Sequence, residues 1–329
     1  MMKAVRICRH EDLYILWQRT EDGNAKVVRV FGTSPWFRIP SMVEGIWITE
    51  IAPYCFSQNR HSEYDAVSGI DCISEDYREL CGEYVEKIEL PDYVKKIENL
   101  AFFNCKNLSE LNVGCRVTDI GADVFMNCSG LRSIIIRSGE FEISGAKQIL
   151  SRISSEIEIV FVKEKDIRAR LLYPEYFELY DEIAPAHIFG CSVTGEGFRA
   201  RQCFNQGVVD YERYDEVFIK AAVTEGKSTL CRFAMNRLMY PVRLSDKHRK
   251  GYTDYITENE KFLMEILIEE RNLQAIEYII SDKIVSENTV EMAVLYATDQ
   301  NWSEGAVSIM HWRHLYYSSE KSAKKRYEF

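Results

Sequence analysis

The 23 residues VEKIELPDYVKKIENLAFFNCKN (Val85–Asn107) lie over the next 23, LSELNVGCRVTDIGADVFMNCSG (Leu108–Gly130), without a gap, and LRSIII (Leu131–Ile136) opens a third copy. Ile88, Leu111 and Ile134 share that spacing, as do Ile97 with Ile120, Phe102 with Phe125, and Cys105 with Cys128. Each copy reads as a short strand of the L-x-x-L-x-L kind, a turn, and a compact second layer ending in an aromatic residue and a cysteine. One copy cannot bury its own apolar face, so the copies must stack and share a core. Upstream, IPSMVEGIWITEIAPYCFSQN (Ile39–Asn59) carries Ile51 and Phe56, which precede Ile97 and Phe102 by 46, twice the repeat. Between them, Ser57–Glu83 is polar and irregular, either a decayed repeat or an inserted loop. Leu13–Val30 reads as two strands around the turn EDGN, a lid on the first repeat. SEIEIVFV (Ser155–Val162) alternates and then fills with β-branched residues, as a last strand of the array does.

IELPDYVKKIENLAFFNCKNL and NVGCRVTDIGADVFMNCSGL resemble the units of the BspA-like bacterial leucine-rich repeats, whose pattern is I-x-I-P-x-x-V-x-x-I-G-x-x-A-F-x-x-C-x-x-L. The entry FRIPSMVEGIWITEIAPYCF is similar to the way such arrays begin. The resemblance spans about residues 25 to 140. It implies a β-solenoid and a role in adhesion or partner binding, with no shared reaction. Members are often secreted or surface-anchored.

Composition narrows the class of partner. With 46% hydrophobic and 12% aromatic residues in 329, the chain supports two or three folded domains. A formal charge of -10 argues against nucleic acid, whose affinity rests on lysines and arginines displacing counterions. The N-terminal MMKAVRICRHEDLYILWQRT meets charge before an apolar run of about 7 to 15 residues can form, so a secretion signal is not expected. No stretch approaches the roughly 18 apolar residues that span a bilayer. The ten cysteines contain no CxxC pair and read as reduced, packed thiols of a cytoplasmic protein.

From Leu171 to Phe204 the chain is rich in aromatics and punctuated by Pro174, Pro185, Gly190, Gly195 and Gly197, which predicts a folded joint covering the end of the solenoid. Beyond Asp210 the apolar period is helical. A spacing of 31 relates Leu263, Ile266, Ala275, Tyr278 and Ile279 to Val294, Ala297, Ala306, Ile309 and Met310. A spacing of 45 takes the same columns back to Phe218, Ala221, Leu230, Phe233 and Ala234, with RLSDKHRKGYTDYITEN (Arg243–Asn259) absorbing the excess as a polar connection. This predicts three helical hairpins, similar to ankyrin repeats in period and in their small-then-aliphatic second helix, without the T-P-L-H signature. The expected architecture is therefore an α+β repeat protein: a leucine-rich repeat domain with a β-cap over 1–165, a joint and C-terminal cap over 166–209, and an all-α domain of ankyrin-like hairpins over 210–329.

Several stretches invite chemistry. Gly226-Lys227-Ser228-Thr229 closes like a nucleotide-binding P-loop, but Ala221 stands where its first glycine belongs. The hairpin register puts Gly226 in a turn between helices, where left-handed backbone selects glycine and Ser228 helps start a helix. His311 and His314 stand three apart on one helix face, a spacing fit for a metal, with no third ligand in sight. His187 and Cys191 in HIFGC pair a base with a nucleophile but lack an orienting group. Cys105 and Cys128, one layer apart, read as packing. No metal or cofactor is expected. What remains is surface: the alternation along each strand turns Glu86, Lys87 and Glu89, then Ser109, Glu110 and Asn112, then Arg132, Ser133 and Ile135 outward. Lys87, Glu89, Glu110, Asn112, Arg132 and Ile135 are the expected partner-binding residues, with Ile135 the apolar centre of a small interface. The expected function is a non-catalytic scaffold for a protein partner, with neither nucleic acid nor membrane. A rival reading is a hydrolase or a nucleotide- or phosphate-binding protein, its cleft at the joint around His187, Cys191, Arg199 and Arg201 near Lys227.

Overall fold

The computed structural model describes residues 5–59, 73–183 and 188–324. It divides into two compact units between Asp210 and Tyr211.

The first unit opens with an antiparallel meander, β1 (Val5–His10), β2 (Leu13–Arg19) and β3 (Ala25–Gly32). The EDGN turn between β2 and β3 closes because Gly23 takes a φ of 85° and the Asp22 carboxylate accepts hydrogen bonds from Thr20 and Asn24. The array begins with β4 (Trp36–Arg38), β5 (Met42–Val43) and β6 (Ile46–Ile51). One sheet then gathers five parallel strands, β4, β8 (Lys87–Glu89), β10 (Glu110–Gly114), β12 (Ser133–Arg137) and β13 (Ile157–Lys163), closed by antiparallel β14 (Asp166–Tyr173). The other carries β3 on through β6, β9 (Lys96–Ile97) and β11 (Asp119–Ile120).

Repeat columns become layers. Ile88, Leu111 and Ile134 stand opposite one another on neighbouring strands, and Ile51, Ile97 and Ile120 do so in the second sheet. The rings of Phe56, Phe102 and Phe125 stack at 5.0 and 5.6 Å with planes 10° and 9° apart. The Cys105 thiol donates to the Phe56 carbonyl (3.1 Å) and the Cys128 thiol to that of Phe102 (3.0 Å). Burial raises the Cys105 pKa and pushes that of Cys128 up to about 12. These cysteines are hydrogen-bonded packing, each tying its layer to the one before.

The Ser57–Glu83 stretch is an insertion, since β4 pairs directly with β8 and β6 with β9, leaving no layer between. Residues 60–72 of it lie outside the described residues. On its return, β7 (Arg78–Glu79) pairs antiparallel with β3. Arg29 on β3, buried, donates to the carbonyls of Cys55 (3.2 Å), Ser57 (2.5 Å) and Asn59 (2.7 Å) and meets the Glu79 carboxylate at 3.1 Å. One guanidinium thus holds both the departure and the return of the insertion, satisfying its own charge in the process.

After β12 the repeat changes. A loop over 138–145 and the short helix α1 (Ala146–Leu150) replace the second-layer strand, and Ile143, one repeat beyond Ile120, is 69% exposed. Beyond β14 come the hairpin β15 (Phe177–Ile183) and β16 (Ile188–Thr194), the single turn α2 (Gly197–Ala200), and the short pair β17 (Phe204–Asn205) and β18 (Val208–Val209).

The second unit is all helix: α3 (Tyr211–Thr224), α4 (Lys227–Met239), α5 (Asp246–Glu258), α6 (Glu260–Glu269), α7 (Leu273–Ser281), α8 (Glu287–Asp299) and α9 (Ser303–Lys324). The pairs α3–α4, α6–α7 and α8–α9 are hairpins, with α8 packed on α6 and α9 on α7. Two expectations are corrected. The Arg243–Asn259 stretch is not a connection: most of it is α5, started by Ser245, whose side chain accepts from the His248 N–H. Its core face is only Tyr252 and Ile256, one turn apart, too sparse for an apolar period to register. The repeat spacing also differs by one. Burial matches Val217, Leu263 and Ala293, then Ala221, Leu267 and Ala297, then Phe233, Ile279 and Ile309, which are spacings of 46 and 30. Met310, assigned to the core by the spacing of 31, is 57% exposed.

Candidate functional site

The outer face of the six-stranded sheet is built from residues that alternate with the buried columns. In register, one row reads Trp36, Lys87, Glu110, Ser133 and Glu158, and the next Arg38, Glu89, Asn112, Ile135, Val160 and Arg170. Five of the six expected residues therefore share two adjacent rows. Arg132 does not: β12 begins at Ser133, which takes the row position, and the Arg132 guanidinium folds back to the carbonyls of Ser129 (2.8 Å) and Leu131 (3.0 Å).

Neighbouring layers are tied by charge. Lys87 lies 3.7 Å from Glu110 and 5.1 Å from the Trp36 ring centroid, and the Trp36 indole N–H donates to Glu86 at 2.7 Å. Glu89 meets Arg38 at 2.8 Å and Arg137 at 3.5 Å. Arg137 also donates to Asp92 (2.5 Å), to the Asn112 side chain and to the Leu90 carbonyl. Such exposed pairs are individually worth about 0–1 kcal/mol, so their effect is to fix side-chain positions across the face. Ile135, half-buried, is the apolar member of the second row, whereas its register neighbour Val160 is buried. Beside it, Glu140 and Glu142 in the loop after β12 have carboxyl pKa values below the usual range, through hydrogen bonds from Arg168 and Lys163 respectively.

Sequence reasoning missed Trp36 and Arg137. Trp36 is 59% exposed at the start of the first row, the kind of large, anchored aromatic that dominates interface energetics. Its signal was the alternation in Trp36-Phe37-Arg38, obscured by Pro35 and Pro40 on either side. Arg137 stands one repeat beyond Gly114, so no column announced it.

The rival cleft residues have other work. Arg201 is buried, and its guanidinium donates to four carbonyls: Ile153 (2.8 Å), Pro174 (2.6 Å), Gly197 (2.9 Å) and Ser155 (2.7 Å). That use leaves its fork aimed at backbone and away from any phosphate. Arg199 is exposed beside Glu196 at 3.3 Å. His187, and the side chain of Cys191, lie outside the described residues. Lys227 opens α4 directly after α3, a helix–turn–helix setting with no strand before it. Gly226 is the N-cap of α4 with φ -70° and ψ 149°, so the left-handed backbone expected there is absent. Left-handed residues do occur in the other two hairpin turns, at Arg271 and Asn301. His311 and His314 are both exposed on α9, and among the described residues no group of three His, Cys, Asp or Glu side chains is placed to hold a metal ion. No described helix is long and apolar enough to cross a membrane.

Parallel strands repeated at a 23-residue period, with isoleucine, phenylalanine and cysteine at the same positions of the two repeats Val85–Asn107 and Leu108–Gly130, define a leucine-rich repeat solenoid. Residues 42–155 match the family described as BspA type leucine rich repeat region, in six copies, and this part of the chain is a BspA-type array. Among solved structures the chain is similar to a leucine rich cell surface protein of Faecalibacterium prausnitzii A2-165 (18% identity, TM-score 0.27, 40% of this chain and 33% of that one). It is also similar to the T. pallidum leucine rich repeat protein (17%, TM-score 0.26, 40% and 60%) and to the pneumococcal vaccine antigen PcpA (18%, TM-score 0.24, 42% of each). The match thus spans a third to three-fifths of those chains. No curated protein matches the sequence.

Proposed function

We propose that this protein is a non-catalytic scaffold that binds a protein partner through the outer strand face of its leucine-rich repeats. The observation that carries the reading is the pair of in-register rows running from Trp36 and Arg38 to Glu158 and Arg170, cross-linked by ion pairs around Ile135. The face offers both signs of charge, an anchored indole and a small apolar centre, and so fits a folded protein surface of mixed charge better than nucleic acid. Lys87, Glu89, Glu110, Asn112 and Ile135 line it, with Arg132 at its margin. The helical unit, read as ankyrin-like from its period and the small-then-aliphatic pattern of its second helices, offers a second surface. We keep the domain assignment 1–165, 166–209 and 210–329, and a cytoplasmic location, for which the unpaired buried thiols of Cys55, Cys105 and Cys128 speak.

The test is affinity capture followed by quantitative binding of the captured partner to Trp36→Ala, Ile135→Arg and the charge reversals Lys87→Glu and Glu110→Lys. Each is expected to weaken binding at least tenfold while leaving thermal stability unchanged. Undiminished retention by all four variants removes the strand face from the function.

A further inference from the structure

In the helical unit, α6 and α8 pack side by side and turn matching stripes of side chains toward one groove. On α6 the stripe is Lys261, Met264, Glu265 and Ile268; on α8 it is Thr289, Met292, Ala293 and Tyr296. Both follow the i, i+3, i+4, i+7 spacing that puts side chains on one helix face. The groove between them is open and holds about 210 Å³. Met264, Ile268 and Ala293 form its buried floor, while Met292 and Leu295 stand 46% and 64% exposed on its α8 side. Two adjacent helices leave between their ridges a furrow that fits the ridge of a third helix. The two methionines let the floor adapt to the side chains it receives.

The groove also carries an uncompensated negative rim. Other acids of these helices are paired: Glu270 with Arg232 (2.7 Å), and Glu287 and Glu291 with Arg313 (3.5 and 3.2 Å). Glu265 on α6 and Asp299 on α8, both exposed, line the groove with no ion-pair partner among the described residues. The Tyr296 hydroxyl donates to Glu269 (2.8 Å), which pins the ring and brings a third carboxylate beside it. The cation in the lining, Lys261, follows Glu260 in sequence and helps to keep that carboxyl ionised. An apolar channel edged by Glu265, Glu269 and Asp299 is complementary to a segment with one apolar face and flanking lysines or arginines.

We infer that this groove docks a basic amphipathic helix of a partner protein, its apolar side chains seated on Met264, Ile268 and Met292 and its cations against Glu265 and Asp299. The surface of the helical unit thereby gains an occupant of defined chemistry. None of the strand-face residues takes part, so either reading can fail without the other.

The probe is the helical peptide acetyl-KLKKLLKKLKKLLK-amide, with acetyl-ELEELLEELEELLE-amide as its charge-reversed counterpart. Each is titrated into the full chain, isotope-labelled at its methionine methyl groups and followed by NMR. The Met264 and Met292 signals shift and saturate with the cationic peptide, while those of Met42 and Met126 in the first unit stay in place; the acidic peptide moves none. Glu265→Lys combined with Asp299→Lys weakens the cationic peptide at least tenfold and admits the acidic one. Glu277→Lys combined with Glu304→Lys makes the same change of net charge at exposed positions of α7 and α9 outside the groove and leaves binding unchanged, as does Trp36→Ala. Met235, buried in α4, reports that each variant is folded. The proposal is overturned if neither groove methionine shows a saturable shift up to about 1 mM cationic peptide, if both double reversals weaken binding equally, or if the acidic peptide binds the parent chain as well as the cationic one. It is equally overturned if the peptide binds only after residues 321–329 are removed, which would make that segment the occupant. Movement of the Met264 and Met292 signals on dilution alone would make a second copy the occupant and overturn it as well.

Discussion

Phe102→Ala is the sharpest measure of how much the stacked layers hold this fold together. Phe102 is fully buried between Phe56, 5.0 Å away, and Phe125, 5.6 Å away. Truncating a buried phenylalanine costs about 3–5 kcal/mol in lost burial and cavity formation. Two offset ring contacts, each worth about 0.5–1.5 kcal/mol beyond area, place Phe102→Ala at the upper end of that range. Phe125→Ala loses one ring contact and enlarges an open cleft that already borders it, so it belongs about 1 kcal/mol or more lower. Because the two units need not unfold together, a single global free energy is not a safe readout. Native-state hydrogen exchange at the Phe56, Leu100 and Asn104 amides, whose hydrogen bonds join successive layers, reports the local opening energy instead. Amides of α6 to α9 are expected to stay unchanged. A loss below about 1 kcal/mol for Phe102→Ala, or an equal or larger loss for Phe125→Ala, refutes the layer argument.

In the helical unit, Asp215 and Arg237 form a fully buried two-bond pair (2.6 and 2.9 Å), with the Tyr252 hydroxyl donating to Asp215 at 2.7 Å. Asp215→Ala strands the guanidinium and should cost about 3–5 kcal/mol in urea denaturation followed at 222 nm, whereas Tyr252→Phe should cost about 1 kcal/mol; equal effects would contradict the assignment. Glu260 accepts from the Ser286 N–H (2.6 Å) and from the hydroxyls of Ser286 and Thr289 (2.7 Å each). Burial alone raises its pKa, but these bonds override it and the net shift is downward. A depressed folded-state pKa means stability present above the ordinary glutamate value of about 4.3 and lost as pH falls through the folded value. Glu260→Gln should therefore flatten the acid limb of helical melting, and an unaltered limb counts against this role. Cys105 and Cys128, kept as thiols by burial, should resist iodoacetamide at pH 8 in the native chain and react once unfolded, as read by mass spectrometry; prompt native labelling would show the layers to be open.

The repeat columns were legible because a stacked layer must present the same side chain to the layer above as the layer below presented to it. Ile97 under Ile120 and Phe102 under Phe125 follow from that demand alone, and so do the inward and outward positions on each strand. The helical half was legible only to within one residue, because an apolar stripe is wide enough to tolerate a shift of register: Met310 and Ile309 looked equivalent until burial separated them. A sparse core face hid α5 altogether.

Other features rest on groups brought together from distant parts of the chain, and no local pattern announces those. Arg29 reaching Glu79, Arg201 collecting four carbonyls, and Asp215 meeting Arg237 and Tyr252 each depend on how the backbone returns in three dimensions. Whether Ser57–Glu83 formed a layer was likewise decided by pairing, since Ile51 meets Ile97 directly. The amino-acid order by itself determined that layers would stack, through the size and spacing of buried side chains. Only the folded chain decided where the second-sheet strands stop, because the short helix α1 takes the place that the repeat would give to the next one.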